Sequence, residues 1–141
     1  MALIDSHCHL DDDRFDIDRD QIVARAKACN VRHIIMPATT AQRWQKIKTV
    51  SELYDCIYPT YGLHPMFMAA YQEANIGELD AWLDREKPIA VGECGLDFFI
   101  GHKDEAQQLK IFSDQLQLAK NHHLPVIIHV RKAMDQTISL L

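Results

Sequence analysis

The sequence predicts an α/β fold with a parallel sheet and, among parallel folds, a barrel. Short apolar runs rich in β-branched residues alternate with stretches of helical period, one unit roughly every 30 residues. The runs are nearly continuous rather than alternating, which is the pattern of parallel strands covered on both faces. Polar side chains able to do chemistry follow four of the five runs, and a barrel puts its chemistry at the C-terminal ends of its strands. A doubly wound sheet would usually carry a glycine-rich turn after its first strand. Here that position reads His7-Cys8-His9-Leu10-Asp11, without glycine.

The expected strands are Leu3-Ile4, His33-Ile34-Ile35-Met36, Ile57 to Tyr61, Ile89-Ala90-Val91 and Val126-Ile127-Ile128. Between them, Ile22, Val23, Ala26 and Cys29 mark a helix from Asp18, where Asp18 and Gln21 resemble a capping box. Trp44, Ile47, Val50 and Tyr54 mark a second helix over Thr40 to Tyr54. Ile76, Leu79, Trp82 and Leu83 mark a third, and Leu109, Phe112, Leu116 and Ala119 a fourth, over Lys103 to Asn121. A last apolar pattern, Ala133, Met134, Thr137, Ile138, Leu140 and Leu141, carries no Gly or Pro to end it. An eight-stranded barrel takes at least ~200 residues, and the chain has 141. The expectation is a single domain over 1–141, about five βα units of a TIM (β/α)8-type barrel. It would be the N-terminal portion of a longer design, or be completed by a partner chain.

Composition narrows the function. Hydrophobic residues make up 48% and charged residues 25%, which is incompatible with a disordered chain. The net charge of -5 argues against a general nucleic-acid coat, but not against an enzyme that meets phosphates through a metal. No apolar run approaches the roughly 18 residues of a membrane span, and the first residues lack the basic and apolar regions of a signal peptide. Cys8, Cys29, Cys56 and Cys94 form no CxxC pair and read as reduced thiols, so the protein reads as cytoplasmic.

Four short segments carry the chemistry. His7 and His9 stand two apart at the end of the first strand, where i and i+2 share a side, so both imidazoles can grip one divalent ion. They can equally be two satisfied loop histidines. Gly62-Leu63-His64-Pro65 follows the third strand and offers His64 to a site. Gly92-Glu93-Cys94-Gly95-Leu96-Asp97 reads as a constrained turn after the fourth strand. Its Glu93 directly follows a buried run and must be paired or metal-bound; the plainer partner, a core Arg or Lys, does not lie close in sequence. His129 ends the fifth strand, and Arg131 beside it can clamp a phosphate or carboxylate or cap a surface. His33, His102, His122 and His123 read as surface residues, Asp11, Asp12 and Asp13 as a solvated loop, and Cys8 and Cys94 as packing residues.

In family order, Asp5-Ser6-His7-Cys8-His9-Leu10, Gly62-Leu63-His64-Pro65, Gly92-Glu93-Cys94-Gly95-Leu96-Asp97 and Leu124 to Arg131 resemble the TatD family of metal-dependent hydrolases. Gln108 to Ala119, with Phe112, Gln115 and Leu116, is similar as well. The resemblance implies a distorted barrel of the amidohydrolase-like group, with one or two divalent metals and hydrolysis of esters, typically DNA phosphodiesters. It implies that His7 and His9 hold one metal, that Glu93 bridges two and is the catalytic carboxylate, and that His129 holds the second. His64, Asp97 and Arg131 would contact the ligands or the substrate. In longer members, later strands add a histidine and an aspartate that have no counterpart in this chain. Nitrogen and carboxylate donors suit Zn, Mn, Fe or Ni, and Mg where water fills several positions. The implied partner is DNA or another phosphodiester or ester. No membrane is implied, and no stable protein partner unless the barrel is completed in trans. Two other readings stand beside it: a catalytically incomplete fragment or pseudoenzyme that needs a partner, and a hydrolase of small esters, amides or modified nucleotides.

Overall fold

A computed structural model describes residues 1–99 and 104–141. Its strands are β1 (Leu3–Asp5), β2 (Val31–Pro37), β3 (Ile57–Thr60), β4 (Val91–Asp97) and β5 (Val126–Arg131). Its helices are α1 (Arg19–Ala28), α2 (Trp44–Leu53), α3 (Asn75–Glu86), α4 (Glu105–Asn121) and α5 (Met134–Leu140). His102 and the start expected for the fourth helix at Lys103 lie outside the described residues.

All strand pairs are parallel. β1 lies on β2, β2 on β3 and β4 on β5. A bridge between Tyr61 and Val91 joins the two groups, and the Gly92 N–H donates to the Tyr61 carbonyl at 2.8 Å. The strands therefore follow one another in chain order with a helix after each, which is the winding of a barrel. The Glu93 N–H reaches past β3 to the Ala38 carbonyl at the end of β2, at 2.9 Å. That bond draws the mouth together just where the site lies.

α2 and α3 cover the sheet with the faces their periodicity defines; on α4 the buried face is Gln108, Ile111, Phe112, Gln115, Leu118 and Ala119, and the expected Leu109 and Leu116 are only partly buried at its edge. Val23, Trp44, Ile47, Val50, Leu79, Leu83, Ile111 and Leu118 are buried in one core with Ile34, Met36, Ile57 and Tyr61. Cys94, Leu96, Phe98, Phe112 and Ala133 form a second core between β4 and its helices. Cys29 is exposed at the C-cap of α1 rather than on its packed face. The capping box does not form: the Asp18 side chain makes no cap bond, and its carbonyl alone receives the Gln21 and Ile22 N–H groups. Burial on both faces holds for β4 alone, whose seven residues are all buried. β1 and β5 each have one neighbour among the described residues, so Leu3 and Ile4 are exposed and β5 is half-buried up to Arg131.

The largest correction concerns β4. Ile89 and Ala90 precede the strand, and the expected turn, Gly92 to Asp97, is the strand itself. Its glycines serve close approach rather than reversal. Gly95 has φ +130°, and a Cβ there would overlap the His129 carbonyl oxygen and stand 3.0 Å from its carbonyl carbon. Only glycine lets β5 come this near.

Candidate metal centre

The centre is built at the C-terminal mouth, around Glu93. As a β4 residue at 5% exposure, its carboxylate is held inside the fold and needs partners. Imidazoles supply them on both sides. Oε2 is 3.0 Å from His7 Nε2 and 3.6 Å from His9 Nε2. Oε1 is 3.3 Å from His64 Nε2 and 3.4 Å from His129 Nδ1. Among the described residues, no Arg or Lys pairs with Glu93, so the core-cation alternative fails. Burial by itself raises the Glu93 pKa. The hydrogen bond from His64 and the electrostatic pull of the His64, His7 and His129 rings outweigh it and bring the carboxyl below its ordinary value.

His7 and His9 reach the site in a different way from the one expected. β1 ends at Asp5, so the two lie beyond the strand. The Cys8 N–H donates to the Ile35 carbonyl at 3.0 Å and keeps this stretch beside β2. The imidazoles then meet with their Nε2 atoms 3.2 Å apart.

The chemistry of each partner sets the proton on three of the rings. His9 Nδ1 lies 3.1 Å from the Pro37 carbonyl, which can only accept, so the lone pair of His9 is on Nε2, toward Glu93. His129 Nε2 lies 2.9 Å from Asp97 Oδ2, so its lone pair is on Nδ1, again toward Glu93. His64 is the reverse: Nδ1 accepts the Met66 N–H at 3.0 Å, which leaves the proton on Nε2, facing Glu93 Oε1. His64, Glu93 and His129 have donor atoms within 4.8 Å of one another, as do His7, His9 and Glu93. With that proton on Nε2, His64 offers Glu93 a hydrogen bond, not a lone pair to an ion.

The donor spacing fits metal ligation. Tetrahedral bonds of ~2.0–2.1 Å place their ligands about 3.3 Å apart, and His7, His9 and Glu93 Oε2 stand 3.0, 3.2 and 3.6 Å apart. The Asp97–His129 and Pro37–His9 contacts are the outer bonds that orient such ligands. Asp97 is itself held, since its Oδ1 accepts the Phe99 N–H at 3.0 Å. The Arg131 guanidinium lies 3.6 Å over the Phe99 ring.

Cys94 is fully buried beside the site, where desolvation pushes its thiol up to about 12, so it packs as a thiol. The acidic loop is a correction. Asp11 is buried and binds Arg43 at 3.0 Å, while Asp13 joins both Arg43 and Lys46. Asp11 anchors a charge network over which Arg43 and Lys46 from the next βα unit lean, while Asp13 stays at the solvated surface of the loop. His122 is tied as well, to Asp80 at 2.6 Å. His33 stacks edge-on to Tyr58 and His123 is exposed.

Two glutamines of α4, Gln108 and Gln115, hold the frame, a role not expected from the sequence. Gln115 accepts the Leu63 N–H at 2.7 Å and donates to the Leu63 carbonyl at 3.1 Å, next to His64. Gln108 pairs in the same two-way manner with the backbone of Asp97, at 2.8 and 3.0 Å. Both are buried, and the seven-residue spacing that puts the two amides on one helical face was the available signal. Gln115→Leu should leave the Leu63 N–H and carbonyl buried and unpaired. The expected loss is about 2–4 kcal/mol, read from the urea midpoint at unchanged slope.

Parallel βα winding, with imidazoles gathered on a shared carboxylate, defines the class as a partial α/β barrel with a candidate metal site. The chain belongs to the TatD family: the model of TatD related DNases matches residues 4–141. It is 36% identical over 135 residues to the uncharacterized metal-dependent hydrolase YjjV of Escherichia coli, covering 94% of this chain and 52% of that protein. It is 31% identical over 139 residues to the 3'-5' ssDNA/RNA exonuclease TatD of Cronobacter sakazakii, covering 99% of this chain and 53% of that protein. The crystal structure of YjjV superposes with a TM-score of 0.92 at 35% identity, over 97% of this chain and 54% of that one. The chain thus spans about half the length of the curated relatives it matches.

Proposed function

We propose that the chain carries the metal-binding half of a hydrolase that cuts ester bonds in nucleic acid, a deoxyribonuclease, with His7, His9, Glu93 and His129 as ligands to one or two divalent ions. The observation that carries this reading is the division of one buried carboxylate between two imidazole groups, His7 with His9 and His129 with His64. Divalent ions at such a site supply a water acidified toward neutrality and charge neutralisation on phosphoryl oxygens.

The residues of this chain set the stage for that chemistry. Glu93 offers one oxygen to each group and so sets the separation between them. Asp97 and the Pro37 carbonyl fix which nitrogen of His129 and His9 faces inward. The His64 N–H donates to Glu93 Oε1 and helps hold its carboxyl below the ordinary value against the effect of burial. Arg131, exposed at the mouth, is the proposed contact for the anionic substrate. Further strands, in the same chain or from a partner, would close the barrel over the open edges of β1 and β5. The metal can be Zn, Mn, Mg, Fe or Ni. The relatives' printed activities support nucleic acid as the substrate. Four free cysteines and the absence, among the described residues, of a helix able to cross a membrane support the cytoplasm as its location.

Elemental analysis after manganese or zinc loading tests the reading. His7→Ala with His9→Ala should lower the metal-to-chain ratio by about one ion, and an unchanged ratio would overturn the assignment. A second reading, a small ester or modified nucleotide as substrate, is favoured by the net charge of -5. Salt separates the two: a strand gripped at many phosphates loses activity steeply with salt, and a small ester does not.

A further inference from the structure

Beside the metal centre lies a cavity of about 590 Å³ that shares His9 and His64 with it. That volume is in the range of pockets for small organic ligands, ~300–1,000 Å³. Its apolar wall is Met66 and Phe67, from the 3-10 turn Pro65–Ala70 that follows His64. Both are large and about half exposed, at 46% and 45%. Phe67 is fixed edge-on against His64, ring centres 5.6 Å apart, so a flat face is held at the edge of the centre.

The charged residues of the cavity are already paired. Arg43 binds the Asp11 carboxylate, the Asp11 carbonyl and Asp13. Arg14 binds both oxygens of Asp12, at 2.9 and 2.8 Å. Three carboxylates thus face two guanidiniums, and among the described residues that line it no cation is left over for a phosphate. A second phosphate would meet net negative charge here, whereas a flat uncharged ring would meet Phe67 and Met66.

We propose that this cavity is a nucleobase subsite: it receives the base of a terminal nucleotide whose single phosphoryl group lies at Glu93, with Phe67 as the stacking platform. This rests on the phosphodiesterase reading above for its choice of ring. Base–aromatic stacking is worth enough to give a preference of about fivefold or more.

The test uses the 141-residue chain and two probes that differ only by the base, deoxyadenosine monophosphate and 2-deoxyribose 5-phosphate. Affinities are measured by ligand-observed NMR, with manganese and after chelation, and metal uptake is measured separately. The expected result is tighter binding of the nucleotide, at least about fivefold, in both states. Phe67→Ala should bring the ratio near one and Phe67→Tyr should restore it, with metal uptake unchanged. A wild-type ratio near one overturns the subsite, and so does a ratio that Phe67→Ala leaves intact; with metal uptake normal, either result leaves the metal reading standing. A Phe67-dependent preference without metal uptake supports the subsite and topples the metal reading instead.

Discussion

Glu93→Gln is expected to abolish metal uptake on both sides of the centre and to lower the activity of the complete enzyme by several orders of magnitude. The amide keeps the shape of the side chain but loses the charge and half of the lone-pair capacity. One change therefore removes a donor shared by two groups of imidazoles, whereas His7→Ala with His9→Ala empties only one. Loss of an orienting outer bond already costs ~10–100-fold in metal affinity, so loss of the shared ligand should exceed about 100-fold. The fold should survive, because β4 is held by its backbone bonds to Tyr61, Ala38 and β5. Titration with manganese, alongside the far-UV circular dichroism spectrum, checks this. Near-normal uptake by a folded variant would show that Glu93 does not bridge.

Among the described glycines, Gly95→Ala should be the most damaging addition of a methyl group. The new Cβ would collide with the His129 carbonyl, which is backbone and cannot swing aside, at a φ of +130° that alanine rarely adopts. The expected loss exceeds about 4 kcal/mol, a large part of a total stability of ~5–15 kcal/mol. The damage falls on the β4–β5 ladder that sets Glu93 against His129. Gly77→Ala is the contrast. Gly77 lies inside α3 with nothing within 4 Å of a Cβ, so the methyl group meets no atom and the helix gains ~0.5–1 kcal/mol. Urea midpoints of the two variants should move in opposite directions, and comparable midpoints would show that β5 can yield at Gly95.

Much of the architecture was legible because it depends on local patterns. The apolar period of Trp44, Ile47 and Val50, and of Leu79 and Leu83, placed the packed faces of α2 and α3 before any contact was known. The same alternation pointed to His7, His9, Glu93 and His129, but as strand-end residues; Glu93 and His129 lie within β4 and β5, and His7 and His9 beyond β1. β4 was misplaced because Gly92 and Gly95 carry two meanings in a sequence. A glycine marks a turn or a close approach, and only the presence of β5 behind it decides between them. The acidic loop was misjudged for a related reason. Asp11 and Asp13 are separated from Arg43 and Lys46 by about thirty residues, and a charge pair across that distance leaves no local trace.

The sequence by itself determined the parallel βα winding, the helix faces and the residue types gathered at the mouth, since these follow from periods of 2 and 3.6 and from strand polarity. Only the tertiary structure decided how those residues divide their work. His64, in the loop after β3, and His129, within β5, both face Glu93 Oε1, yet the Met66 N–H beside one and the Asp97 carboxylate beside the other leave a proton facing Glu93 in the first and a lone pair in the second. The same holds for the paired guanidiniums that leave the cavity without a free positive charge, and for Gln108 and Gln115, whose amides reach strands far away in the chain. Hydrogen-bond partners and charge compensation are properties of neighbours in space, and the fold alone determines who those neighbours are.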